Sequence, residues 1–221
     1  MNRILIIGAS GGIGGALGEA LRARGVETVG LSRSGDGLDV TDEASVEQHL
    51  GALDGPFDGL IVASGALEID GASPEKTIRA VNAKAMADQF AVNAIGPALV
   101  LRHAARLLPR DARSVCAVLT ARVGSIGDNR IGGWTSYRAA KAAANQIVHT
   151  TAIELARTHP EMVCVALHPG TVKTPFTEKY LGRHPAVPAQ EAAENLLGVM
   201  GELTPEQTGG FYDWAGEEVV W

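Results

Sequence analysis

The opening of the chain restricts its fold more than any other stretch. Arg3-Ile4-Leu5-Ile6-Ile7 is a short apolar run that leads straight into Gly8-Ala9-Ser10-Gly11-Gly12-Ile13-Gly14, and Gly15 to Leu21 then continue with helical spacing. Glycines at a strand-to-helix junction let the backbone turn sharply and approach a pyrophosphate. The helix start beyond them offers unpaired N–H groups and the positive end of a dipole. The spacing is Gly-x-x-x-Gly-x-Gly rather than Gly-x-Gly-x-x-Gly. A ligand-free glycine turn is the plain alternative, but so dense a cluster costs backbone entropy that packing alone seldom justifies. Gly8, Ser10, Gly11, Gly12, Ile13 and Gly14 are therefore candidate phosphate-binding residues.

The rest of the chain repeats the opening rhythm. Short apolar runs at 3–7, 27–31, 59–62, 113–119, 163–167 and 210–214 read as strands. Helical patterns occupy 12–24, 43–50, 87–108, 136–159 and 190–201. Most of the runs are continuously apolar, as strands covered on both faces should be. The expected fold is α/β: a Rossmann-type, doubly wound, mostly parallel sheet in a three-layer αβα sandwich, with its ligand across the carboxyl edge. At 221 residues, with no internal repeat or linker, residues 1–221 form a single domain. The stretch 171–189 holds Pro175, Pro185 and Pro188 and reads equally as a mobile lid or a surface loop.

Charge and composition exclude some partners. A net charge of -6 argues against nucleic acid or an anionic membrane as the main partner, and no run approaches a membrane span. Cys116 and Cys164 each sit in an apolar run and read as buried, reduced thiols, which fits a cytoplasmic protein. His49, His103, His149, His159, His168 and His184 are dispersed without metal-ligand spacing, so no metal is expected. His168 lies nearest the expected ligand and reads as a packed, hydrogen-bonded side chain. Phe211, Tyr212, Trp214 and Trp221 read as core or subunit-contact aromatics.

Two further clusters point to chemistry. The second run ends in Leu31-Ser32-Arg33-Ser34, with no carboxylate to hold a ribose 2′-hydroxyl; Ser32 and the Arg33 guanidinium suit a 2′-phosphate instead. NADP(H) is accordingly expected over NAD(H), a solvated surface arginine being the alternative. Tyr137 and Lys141 lie four apart on one helix face. A phenol with a reference pKa of ~10 is a poor acid–base group at neutral pH. A nearby ammonium and the positive nicotinamide ring both favour its phenolate. A half-exposed Tyr beside a solvated Lys is the alternative if this pair stood alone.

It does not stand alone. Gly8-x-x-x-Gly12-Ile13-Gly14, Asn93, Tyr137-x-x-x-Lys141 and Pro169-Gly170-x-x-x-Thr174 occur in the order and spacing of the short-chain dehydrogenase/reductase family, which the chain resembles from about residue 3 onward. Val123-Gly124-Ser125-Ile126, Gly132-Gly133-Trp134 and Tyr137-Arg138-Ala139-Ala140-Lys141 resemble the small carbonyl reductases related to the bacterial C-factor and the insect sniffer protein. The resemblance implies hydride transfer between the nicotinamide and a small carbonyl or alcohol. Tyr137 would be the acid–base group and Lys141 its partner and a ribose ligand. Asn93 would distort a long helix and hold a relay water, unless it is simply a core Asn satisfied by backbone. Asp39 and Val40 match an adenine contact. Pro169, Gly170, Val172 and Thr174 match the carboxamide end. A homodimer or homotetramer is implied through the Ala-rich helices 87–108 and 136–159.

The chain departs from the family pattern twice. Val62-Ala63-Ser64-Gly65 stands where an Asn-Asn-Ala-Gly is usual, leaving Ala63, Ser64 and Gly65 to face the cofactor. The serine that orients substrate falls at Ala121, which has no hydroxyl. Ser125 or Thr120 must then supply the hydrogen bond. Ser125 is preferred, because Thr120 on an extended strand points to the opposite face from residue 121. A protein that binds NADP(H) as a sensor, with little turnover, is the alternative this departure leaves open.

Overall fold

Each apolar run forms its strand, and the glycine turn leads from the first strand into the first helix. The structure, a computed structural model, describes residues 1–175, 177–181 and 185–221. Expectations for His184 therefore lie outside the described residues. In chain order the strands are β1 (Arg3–Ile7), β2 (Glu27–Leu31), β3 (Gly59–Val62), β4 (Ser114–Leu119), β5 (Met162–His168), β6 (Val172–Lys173), β7 (Val187–Pro188) and β8 (Phe211–Asp213). β6 and β7 pair with each other inside the stretch 171–189, which the sequence had left irregular. The other six form one sheet in the order β2-β1-β3-β4-β5-β8, every pairing parallel.

The helices are α1 (Gly12–Ala23), α2 (Arg33–Asp36), α3 (Glu43–Gly51), α4 (Ala83–Phe90), α5 (Gly96–Leu101), α6 (Ala104–Leu107), α7 (Thr135–Leu155) and α8 (Ala189–Glu202). Alternate strand residues feed two cores. Leu5, Ile7, Leu60, Val62, Cys116, Val118, Cys164 and Ala166 pack with residues of α3, α5, α6 and α7. Ile4, Ile6, Ile61, Val115, Ala117, Leu119, Val163, Val165 and Leu167 pack with α1 and α8. Burial on both faces explains why these strands carry no polar alternation. Each fully buried Leu or Ile stabilises the sandwich by roughly 1.5–3 kcal/mol. Cys116 and Cys164 are free, buried and register partners on neighbouring strands.

The helix expected at 87–108 is divided. After α4, residues Ala91–Ile95 form a π turn in which the Gly96 N–H reaches Ala91 O, before α5 and α6 continue. Pro97 lacks the N–H that a regular helix would need there. Gly96 lies against Val40: a β-carbon at Gly96 would sit 2.9 Å from Val40 Cγ2. Among the described residues no helix is long and apolar enough to cross a membrane.

The chain leaves β1 outward to β2 and returns to β3 on the other side. At such a reversal the loops beyond the strand ends diverge, and a crevice opens at the carboxyl edge.

Candidate active site

The glycine turn lies at that crevice. Gly8 adopts φ +90, and a β-carbon on Gly14 would stand 2.2 Å from Gly8 O, so both positions need glycine for the turn to close. The N-cap of α1 is Gly11, with no side-chain cap and no acid in the first turn. Its leading N–H groups are left for an anion. A β-carbon on Gly12 would meet Thr174 Cγ2 at 2.6 Å, so the helix start abuts the segment after β5.

The crevice has two lobes. The first, about 310 Å³, is lined by Gly8, Ser10, Gly11, Ser32, Arg33, Leu38, Asp39, Val40 and Thr41 among others. Among the described residues Arg33 is the only cation on its wall, while Asp39, Glu68 and Asp70 also line it. Ser32 caps α2, its Oγ accepting from Gly35 N at 3.1 Å. The Thr41 hydroxyl and amide donate to Asp39 Oδ1 at 2.7 and 2.9 Å and hold that carboxyl below its usual pKa. The second lobe, about 580 Å³, is lined by Gly12, Ile13, Thr120, Ala121, Tyr137, Lys141, His168, Pro169, Gly170, Val172 and Thr174, among others. Gly11, Ala63, Ser64 and Gly65 line both. Gly14 lines neither; it packs on Gly8.

α7 carries Tyr137 and Lys141 into the second lobe. Its N-cap, Trp134, has the left-handed φ of 52 and offers no capping side chain. Glu75 does the capping from a distant loop: Ser136 N donates to Glu75 Oε2 at 3.2 Å, and the Ser136 hydroxyl donates to Oε1. Lys141 Nζ donates to Leu119 O at 3.2 Å and lies 5.8 Å from the Tyr137 ring centroid. Burial pushes the Tyr137 phenol above its ordinary pKa and lowers Lys141 to about 8. Burial penalises the charge on both groups and here outweighs the pull of the ammonium on the phenol; the acidity expected from the sequence rests also on the positive nicotinamide ring.

Asn93, in the π turn, is fully buried. Its Nδ2 donates to Ala66 O and to Gln89 Oε1, each at 2.8 Å, and its Oδ1 accepts from Ala66 N at 3.2 Å. Gln89 Nε2 donates to Leu67 O at 2.8 Å. These bonds steady the segment after β3, where the usual asparagines are missing. A β-carbon at Gly65 would lie 3.1 Å from Asn93 Oδ1 and 3.5 Å from Lys141 Nζ, so the three converge.

Ser125 lies elsewhere. A 3-10 turn at Arg122–Gly124 carries it away from the lobe, and it is not among the lining residues. Its hydroxyl donates to Val220 O and accepts from Asp128 N at 3.0 Å, tying the β4–α7 loop to the C-terminal tail. Thr120 does line the lobe, and its Oγ1 is buried without a partner among the described residues. His168 is not the hydrogen-bonded side chain expected: its Nδ1 is likewise buried and unpartnered, and burial lowers its pKa to about 4. Sequence reasoning also missed Trp134 and Tyr180, which meet edge-on at 5.4 Å and line the second lobe, and Glu75, which caps α7. A tryptophan after two glycines was the available signal.

The residues present fit a dinucleotide. Two joined lobes flank an uncapped helix start, and the Ser64 hydroxyl between them is buried and has no partner among the described residues.

Comparisons with known proteins agree with this geometry. A family model described as enoyl-(acyl carrier protein) reductase matches residues 8–212. The chain is similar to a Rhodococcus sp. (strain AD45) dehydrogenase of 1-hydroxy-2-glutathionyl-2-methyl-3-butene, 29% identical over 236 aligned positions and covering 100% of both chains. It is 38% identical over 140 residues to the C-signal protein of Myxococcus xanthus, covering 62% of this chain and 78% of that one. A Burkholderia multivorans structure described as a short-chain dehydrogenase/reductase with bound NADP superposes with a TM-score of 0.84 at 27% identity, covering 100% of this chain and 99% of that one.

Proposed function

Because the chain belongs to the short-chain dehydrogenase/reductase family, we propose that it transfers a hydride between NADP(H) and a small carbonyl or alcohol, with Tyr137 as the acid–base group. The reading rests on one observation above all: Tyr137 and Lys141 share the wall of a cleft with the uncapped start of α1. When bound, the nicotinamide supplies the hydride. The Gly11, Gly12 and Ile13 backbone would hold the diphosphate, with Gly8, Ser10 and Gly14 shaping the turn. Ser32 and Arg33 would take the 2′-phosphate, and Asp39 and Val40 the adenine. Ala63, Ser64, Gly65 and Lys141 would face the ribose, and Pro169, Gly170, Val172 and Thr174 the carboxamide. In reduction, Tyr137 protonates the substrate oxygen as charge develops on it. Its raised pKa keeps the proton in place until then. Lys141, beside Asn93, returns a proton from solvent.

NADP(H) is supported by Arg33 in the first lobe and by the bound NADP of the Burkholderia relative. A homodimer or homotetramer is supported by Ile95 and Ile153, exposed on the π turn and α7. A cytoplasmic location is supported by the two free, buried thiols.

The test is NADPH oxidation over benzaldehyde, acetophenone and menadione, with Tyr137→Phe in parallel. Turnover should fall at least ~100-fold in the variant, while NADPH affinity by fluorescence titration stays where it was. Undiminished turnover in Tyr137→Phe would remove the acid–base assignment. NADPH binding with no turnover of any probe would support the sensor reading that Ala121 leaves open.

A further inference from the structure

Ala121 brings no hydroxyl to the cleft, and Ser125 spends its own on Val220 and Asp128. The strands show where the function can pass. On β4, Cys116 and Val118 face the α7 side, so Thr120, next in alternation, follows them onto that side. On β5, Cys164 and Ala166 face the same side, and His168 follows them. Leu119 is the register partner of Leu167, and Thr120 N donates to Leu167 O at 2.8 Å. Thr120 and His168 are therefore side by side at the carboxyl edge, under the helix that carries Tyr137 and Lys141, and all four line the second lobe.

Resting on the reductase reading above, we propose that Thr120 makes the hydrogen bond to the substrate oxygen that residue 121 cannot make, and that His168 sets the direction of the Thr120 hydroxyl. Buried polar atoms in native proteins almost always have partners. Thr120 Oγ1 and His168 Nδ1, on adjacent strands, have none among the described residues. Neighbouring strands lie ~4.8 Å apart; the two atoms do not bond each other here, and rotation of the imidazole about its side-chain torsions would bring Nδ1 to the hydroxyl. With a hydrogen on Nδ1, the ring so turned would donate to Oγ1 when substrate binds, and the threonine proton is left to point at an oxygen acquiring charge. Burial keeps this ring neutral through the working pH range. Thr120 is thus a catalytic residue and His168 a positioning one. A donor held dry and unspent is prearranged for an oxyanion, because no protein bond has to break first.

Thr120→Val preserves shape and removes only the hydroxyl. We expect kcat with the best of benzaldehyde, acetophenone and menadione to fall ~100- to 1,000-fold. The thermal midpoint should hold or rise, since an unpaired buried hydroxyl is lost; a packing role would lower it. Thr120→Ser should recover most of the rate. Ala121→Ser, placed in the Thr120→Val protein, should restore turnover by returning a hydroxyl one residue along. His168→Ala should lower kcat with little change in NADPH affinity, and His168→Asn, whose amide nitrogen can stand near the place of Nδ1, should recover much of it. Unchanged kcat in Thr120→Val, with Tyr137→Phe inactive, would overturn this inference and leave the reductase reading standing. If Tyr137→Phe were equally active, or no probe were turned over, both would fall.

Discussion

Replacing Lys141 by Met should stabilise the fold while abolishing the reaction. Burial lowers the Lys141 pKa from 10.5 to about 8. At ~1.36 kcal/mol for each tenfold change in proton affinity, its ammonium costs the cofactor-free protein about 3 kcal/mol at neutral pH. The bond to Leu119 O, lost in the variant, offsets ~1 kcal/mol of that. Met fills similar space without charge, so the net gain is about 2 kcal/mol, or a midpoint ~4–8 °C higher for a chain of this size. The sign with pH follows from the lowered folded pKa. At pH 7 the amine is charged in both states and the penalty is complete. Between about 8 and the unfolded value of ~10.4, the folded state releases its proton first, so the unaltered protein gains stability as pH rises. Calorimetry at pH 7 and again near pH 10 should therefore show a large gap that closes. A Lys141→Met protein less stable at pH 7, or a gap indifferent to pH, would refute the argument that this amine is held against the interest of the fold.

Two other substitutions separate structure from chemistry. Ser125→Ala removes a hydroxyl that bridges Val220 O and Asp128 N. It should cost ~1–3 kcal/mol and lower the thermal midpoint, with kcat little changed below the transition; a large loss of kcat at an unchanged midpoint would return Ser125 to the reaction centre. Arg33→Ala, on the wall of the first lobe, should weaken NADPH at least ~tenfold more than NADH in parallel fluorescence titrations. Equal losses would remove Arg33 from the 2′-phosphate.

What the sequence revealed was mostly local. The strands were legible because burial on two faces leaves uninterrupted apolar runs, and the glycine turn because its backbone tolerates no β-carbon at Gly8 or Gly14. Tyr137 and Lys141 were legible because four residues span one helical turn. The errors came from long-range partners. Ser125 was assigned from its nearness in sequence to residue 121, but its acceptor is Val220, 95 residues away. Glu75 reaches the start of α7 from 61 residues away, and no local spacing announces it. Thr120 ranks only as the alternative to Ser125 in the sequence, because alternation points it away from residue 121. Yet beyond the last strand residue the cleft wraps the edge of the sheet, and both residues line it.

The π turn at Ala91–Ile95 has a consequence for insertions and deletions. A regular helix advances ~100° per residue, and the wide turn absorbs one residue without that rotation. Asn93 can therefore bond Ala66 while Val100, Leu101 and Ala104, further along, still point inward. Deleting one residue of the turn would wind the segment into an ordinary spiral whose flanks keep their phase, so the aliphatic stripe would still face inward. What would be lost is the widened turn that presents the Asn93 amide to Ala66. The additional residue thus serves the loop it holds and not the core behind it.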